Sequence, residues 1–114
     1  MTRTRLPNRR WALTRDIDFD GHAYAVTVGL DIEDRPAEVF VKGQRHGSAL
    51  DALLDDCCIL ASIALQYGAR PAELRRSLSR VPALGDALGP ATAPASPLGA
   101  ILDLVADIAE GAAA

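Results

Sequence analysis

The chain has 114 residues, 49% hydrophobic and 24% charged, with a net charge of −3. This is enough for one hydrophobic core, and too apolar for a disordered chain. The overall balance argues against a generic nucleic-acid binder, and no apolar run is long enough to span a bilayer.

Residues 1–10 form a basic arm, in which Arg3, Arg5, Arg9 and Arg10 carry no apolar periodicity. No apolar segment follows them, so they do not read as a secretory signal. From Trp11 the pattern alternates: Trp11, Leu13, Ile17 and Phe19 share a face, with Arg15 interrupting. Asp20-Gly21 is the signal for a two-residue type I′ turn. Tyr24, Val26, Val28 and Leu30 alternate on the return strand. That turn sets Phe19 opposite His22, Ile17 opposite Tyr24 and Leu13 opposite Val28, so both apolar sets land on one side. A polar connection over 31–37 leads to a short strand, Glu38–Lys42, completing an antiparallel meander.

Gly43–Gly47 joins that strand to the longest regular stretch of the chain, Ser48–Tyr67. Ser48 is the expected N-cap, Asp51 suits the positive end of the helix dipole, and Gly68 is the expected residue past the end. The apolar arc of this helix is wide, which predicts cover on more than one flank. Leu53, Cys57, Ala61 and Leu65 are expected in the core. Pro71 starts a short helix with Glu73 in its first turn. Residues 79–96 hold several prolines and glycines and read as a long loop. Ser96-Pro97 then caps a last helix with Leu98, Ile101, Leu102, Val105 and Ile108 on one stripe, and residues 111–114 are a fraying tail. The expected architecture is α+β, a single domain over 11–110. It comprises a three-stranded antiparallel meander packed against a long central helix, a short helix and a C-terminal helix.

Chemistry-bearing residues are sparse. The junction Lys42, Gly43, Arg45, His46, Gly47 and Ser48 combines positive charge, glycine freedom and a helix N-terminus, which is the physical recipe for holding a phosphate or carboxylate. The spacing lacks the lysine of a P-loop, and a tight turn with an N-cap explains the same residues. Cys57 and Cys58 are adjacent in a helix, where a disulfide would be strained. They have neither the spacing nor the partners of a metal site, and read as two small core residues of a reducing, cytoplasmic protein. Asp51, Asp55 and Asp56 read as a solvated helix face. The arm residues Arg5, Arg9 and Arg10 could touch a protein or a nucleic acid, but aromatic side chains for base stacking are missing beyond Trp11. No cofactor and no catalytic set emerges. Surplus apolar surface on the long helix, with Phe40, Ala23 and Ala25 on the far side of the sheet, favours a homodimer.

The run Arg35–Ser48 (RPAEVFVKGQRHGS), followed by Ala52-Leu-Leu, Ile63-Ala-Leu-Gln-Tyr-Gly68 and Pro71-Ala-Glu-Leu74, resembles the TSCPD domain. That domain lies at the C-terminal end of adenosylcobalamin-dependent ribonucleotide reductases and in small stand-alone bacterial proteins. The resemblance runs from about Arg35 to Leu78; Leu6–Arg10 and Ser96–Gly99 look like the stand-alone members. The Thr-Ser-Cys-Pro-Asp run that names the domain is absent, as are the reductase barrel and its active-site cysteines. The resemblance therefore implies a fold and a neighbourhood rather than an activity. It points to a non-catalytic accessory or interaction module, with a ribonucleotide reductase or another protein as partner. The alternatives are a small anion- or nucleotide-binding protein using the glycine junction, and a weak nucleic-acid contact through the arm.

Overall fold

The computed structural model describes residues 2–3, 6, 11–43, 48–82 and 92–113. The meander forms as expected: β1 (Ala12–Phe19), β2 (His22–Leu30) and β3 (Pro36–Gly43) lie in the order β1-β2-β3, antiparallel throughout. Asp20 and Gly21 both adopt positive φ, +52° and +79°, which is what a type I′ turn requires. The register is the one the turn dictates, with Phe19 opposite His22, Ile17 opposite Tyr24 and Leu13 opposite Val28. A register shift between Gly29 and Leu30 bends β2 as it enters the next turn. A Cβ at Gly29 would come within 2.6 Å of the Glu38 side chain on β3, which would have to swing aside.

The β2–β3 connection is built around Asp31. Its Oδ1 accepts from the backbone N–H of Glu33 and of Arg35, both at 2.9 Å, and its Oδ2 accepts from Arg35 Nε at 3.1 Å. The side chain thus replaces backbone partners within the turn, the usual use of aspartate in tight connections.

Three helices follow: α1 (Ser48–Gln66), α2 (Pro71–Ser77) and α3 (Pro97–Ala113). α1 ends in a Schellman motif. Ala69 N–H donates to Ala64 O and Gly68 N–H to Leu65 O, with Gly68 at φ +100°. α3 begins with Ser96 Oγ accepting from Gly99 N–H at 3.0 Å, and Pro97 occupies the first helical position.

One sheet face carries the core. Val26, Val28 and Val39 are fully buried with Ile101 and Val105 of α3; Tyr24, Leu30, Cys58, Leu65 and Leu102 complete the cluster. α3 lies across this face with α2 packed beside it, whereas α1 runs along the outer edge of β3. Ser62 Oγ accepts from Val39 N–H at 2.9 Å, and Gln66 Nε2 donates to Ala37 O at 2.9 Å. These are the groups an unpaired edge strand would leave open, so α1 closes that edge with side chains in place of a fourth strand.

Two expectations are corrected here. Trp11 pairs through its backbone, its carbonyl accepting from Leu30 N–H, but its ring is 78% exposed and lies outside the core. Leu53 is 60% exposed and Cys57 half-buried, because Ser62 and Gln66 bond to β3 and turn those positions away from it. Leu65 is buried as expected, Leu54 and Cys58 take the other inward positions, and Ala61 packs beside them.

The segment expected as a continuous loop contains a short ribbon, β4 (Arg80–Pro82) paired with β5 (Thr92–Pro94). Arg80 holds it: Nε donates to Thr92 Oγ1, Nη2 to Thr92 O, and Nη1 to Asp103 Oδ1 of α3 at 3.0 Å. Arg75 of α2 reaches the same Asp103 and Asp107 at 4.0 and 3.8 Å. Asp103 thus joins three elements. Asp103→Asn is expected to lower the unfolding free energy by about 1 kcal/mol, with a smaller loss in high salt. Urea titrations at two ionic strengths would read both.

Candidate functional site

The glycine junction lies mostly outside the described residues, because 44–47 hold Arg45, His46 and Gly47. Of the rest, Lys42 is exposed near the end of β3, Gly43 closes that strand and Ser48 opens α1. Arg5, Arg9 and Arg10 of the arm also lie outside the described residues.

A cleft of about 420 Å³ opens where the β2–β3 turn, the end of α1 and the start of α2 meet, with Thr2 at its rim. Its polar groups face one another. Asp31 is held by Arg35 and two backbone amides. Gln66 Oε1 accepts from Arg3 Nε while its Nε2 serves Ala37. Arg70 Nη2 donates to Glu73 Oε1 at 2.6 Å, and this bond holds the Glu73 carboxyl below its ordinary range. Only the bonds of Gln66 join separate segments here, to Ala37 of β3 and to Arg3; those of Asp31 and Arg70 stay within one turn and one helix start. Among the described residues, every buried side-chain nitrogen and oxygen has a partner, and no His/Cys/Asp/Glu cluster could hold a metal ion.

The two cysteines part company. Cys58 is buried, and its thiol is pushed up from 9.0 to about 11, first by burial and then by the nearby Cys57 and Asp55. A thiol this reluctant to ionise is a poor nucleophile. Cys57 is only half-buried, toward the outer side of α1. Iodoacetamide at pH 8 is expected to label Cys57 and spare Cys58 until urea unfolds the chain, as read by peptide mass spectrometry. Because Cys58 ionises more readily in the unfolded chain, its contribution to stability is complete below pH 9. It is lost as pH rises through about 11. Equal labelling of both thiols in the folded protein would overturn this burial.

The outer side of α1 carries an apolar surface. Leu50, Leu53, Leu60 and Tyr67 are 50%, 60%, 67% and 43% exposed, and Cys57 and Ala64 lie between them. These six positions are spaced alternately three and four residues apart, so they form one stripe along the helix. The stripe lies opposite the Cys58/Ser62/Leu65 side that faces the sheet. Asp51, Asp55 and Asp56 all fall outside it. The sequence shows this stripe, but its residues read there as core. The distinguishing signal is the polar pair Ser62 and Gln66, four apart on an otherwise apolar helix. No helix among the described residues is long and apolar enough to cross a membrane.

Comparison with known proteins fits this small, regular domain. Over 66 residues the chain is 38% identical to the vitamin B12-dependent ribonucleotide reductase of Rhodopirellula baltica, covering 58% of this chain and 6% of that protein. It is 33% identical to the enzyme of the same name from Agrobacterium fabrum, over 58% of this chain and 5% of the relative. The match thus spans about a twentieth of the length of these curated relatives. No solved structure gives a significant match. The TSCPD domain profile matches residues 2–109, nearly the whole chain and every element of the fold up to the last turns of α3, and on that match the chain belongs to the TSCPD domain family.

Proposed function

We propose that this domain is a non-catalytic accessory module that works by binding protein, and that its binding surface is the outer side of α1. The observation that carries the reading is the apolar stripe. Leu53 and Leu60 stand 60% and 67% exposed on a 19-residue helix that the sheet edge holds from behind. Neither leucine packs against the core cluster. A contiguous apolar patch on a rigid element is the usual mark of an interaction site. The similarity to a small segment of vitamin B12-dependent ribonucleotide reductases makes such a reductase from the same cell the first heterologous partner to test.

The test takes the purified chain and the Leu60→Glu variant. Each is assayed for ribonucleotide reduction with adenosylcobalamin, then titrated by calorimetry against the reductase and against itself. The expected result is no turnover, and a protein contact that Leu60→Glu abolishes. Turnover by the isolated chain would overturn the reading. So would the absence of any contact that depends on this face.

A further inference from the structure

We infer that the occupant of the outer face of α1 is a second copy of this chain, docked antiparallel about a two-fold axis passing between Cys58 and Ile59. The inference rests on the binding role proposed above and names the partner.

The stripe is self-complementary only in that arrangement. Turning α1 about the axis sets Leu50 opposite Tyr67, Leu53 opposite Ala64 and Cys57 opposite Leu60. In the two inner layers a leucine meets a smaller side chain, Ala64 or Cys57, which lets knobs from one helix enter holes on the other. A parallel pairing would stack Leu53 on Leu53 and Ala64 on Ala64, alternating crowded and empty layers. Three-four spacing sustained from Leu50 to Tyr67 is the period that keeps two helices in contact at a shallow crossing angle. An isologous contact of this kind closes after two copies and leads to no larger assembly.

Other parts of the surface compete poorly. Among the described residues no strand pairs with the outer edge of β1, and there Arg15 stands on the same side of the strand as Leu13 and Ile17 with its side chain exposed, with Asp16 and Asp18 beside it. A charge in that position guards an edge strand against pairing. The edge of β3 is already closed by Ser62 and Gln66. On the far face of the sheet, Phe40 is the one large exposed apolar side chain among the described residues.

The surface is small for a specific interface. A 19-residue helix is about 28 Å long and about 10 Å wide. A two-helix contact of that length buries roughly half of the ~800 Å² per partner found in standard interfaces. Contacts at the small end of specific interfaces are weak and transient, so the dimer is expected as a concentration-dependent equilibrium, sought in the micromolar range.

Sedimentation equilibrium of the full chain tests this, alongside Leu53→Glu and Leu60→Glu. Both positions lie outside the core cluster, and circular dichroism checks that the variants stay folded. The wild type should dimerise with a micromolar Kd, and each variant should weaken it about 100-fold or more. Cys57, beside the axis, gives a second readout. Its alkylation should slow as wild-type concentration rises and stay constant for Leu60→Glu. A wild type that remains monomeric at about 100 µM would overturn the inference. So would a dimer indifferent to both variants. A monomer that binds the reductase in a Leu60-dependent way would overturn the dimer and leave the binding role standing, whereas the absence of any Leu60-dependent contact would overturn both.

Discussion

Ile101→Ala is expected to lower the unfolding free energy by about 2–5 kcal/mol, the range for deleting a large aliphatic side chain from a packed core. Ile101 is fully buried, in one cluster with Val26 and Val28 of β2, Val39 of β3 and Val105 one turn further along α3. It sits where the helix crosses the sheet, so the cavity left by alanine is lined from both sides and has little freedom to collapse. A domain of this size has roughly 5–15 kcal/mol of stability in total, and losing a third of it would show as a plainly earlier urea midpoint. Leu53→Ala is the control. At 60% exposed, Leu53 should cost less than about 1 kcal/mol in the monomer. Equal losses for the two variants would mean that the core lies under α1, not under α3.

The contrast between those two residues shows where the sequence is legible. The hairpin could be read in advance because two independent signals agree: Asp20-Gly21 sets the register, and the alternating apolar residues need that same register. The last helix is legible because Asp103, Asp107 and Glu110 lie together on one side and set the opposite side, with Ile101 and Val105, toward the core. α1 is different. It is apolar nearly all round, so composition names the helix but not its orientation. Two polar residues decide it, and they point inward, against the rule that polar side chains face water. Ser62 and Gln66 are buried because backbone groups of β3 need partners there. That need exists only once the strand order is known, which no local pattern supplies. The same holds for Arg80, whose bonds to Thr92 and Asp103 cross a segment that reads as a loop. The exposed apolar stripe is visible in the sequence as a surplus of apolar residues, and its side of the helix follows only from this rotation. The glycine junction, the most site-like stretch in the sequence, lies largely outside the described residues.

Ser62→Ala should be the most damaging small change outside the aliphatic core, at about 1–3 kcal/mol. The Ser62 hydroxyl has one proton. Cys58 O at 2.8 Å is its nearer acceptor, with Val39 O at 3.3 Å as the alternative. Its oxygen is then free to accept from Val39 N–H at 2.9 Å. Alanine removes all of this and leaves the buried Val39 amide facing a methyl group, so the desolvation cost of that N–H appears. Cys58 O loses less, since it remains within the helix ladder. The amide of Val39 reports the effect directly. Hydrogen exchange there should speed up more than at Val26 or Val28, which lie in the same sheet but keep their strand partners. Gln66→Leu should act on the same edge through Ala37 O, and it also removes the acceptor for Arg3. Because both side chains fasten one helix to one strand, the double variant should cost less than the two single losses combined: once the edge has opened at Ser62, Gln66 has less to hold. Strictly additive losses, or unchanged protection at Val39 in Ser62→Ala, would mean that packing alone keeps α1 against β3.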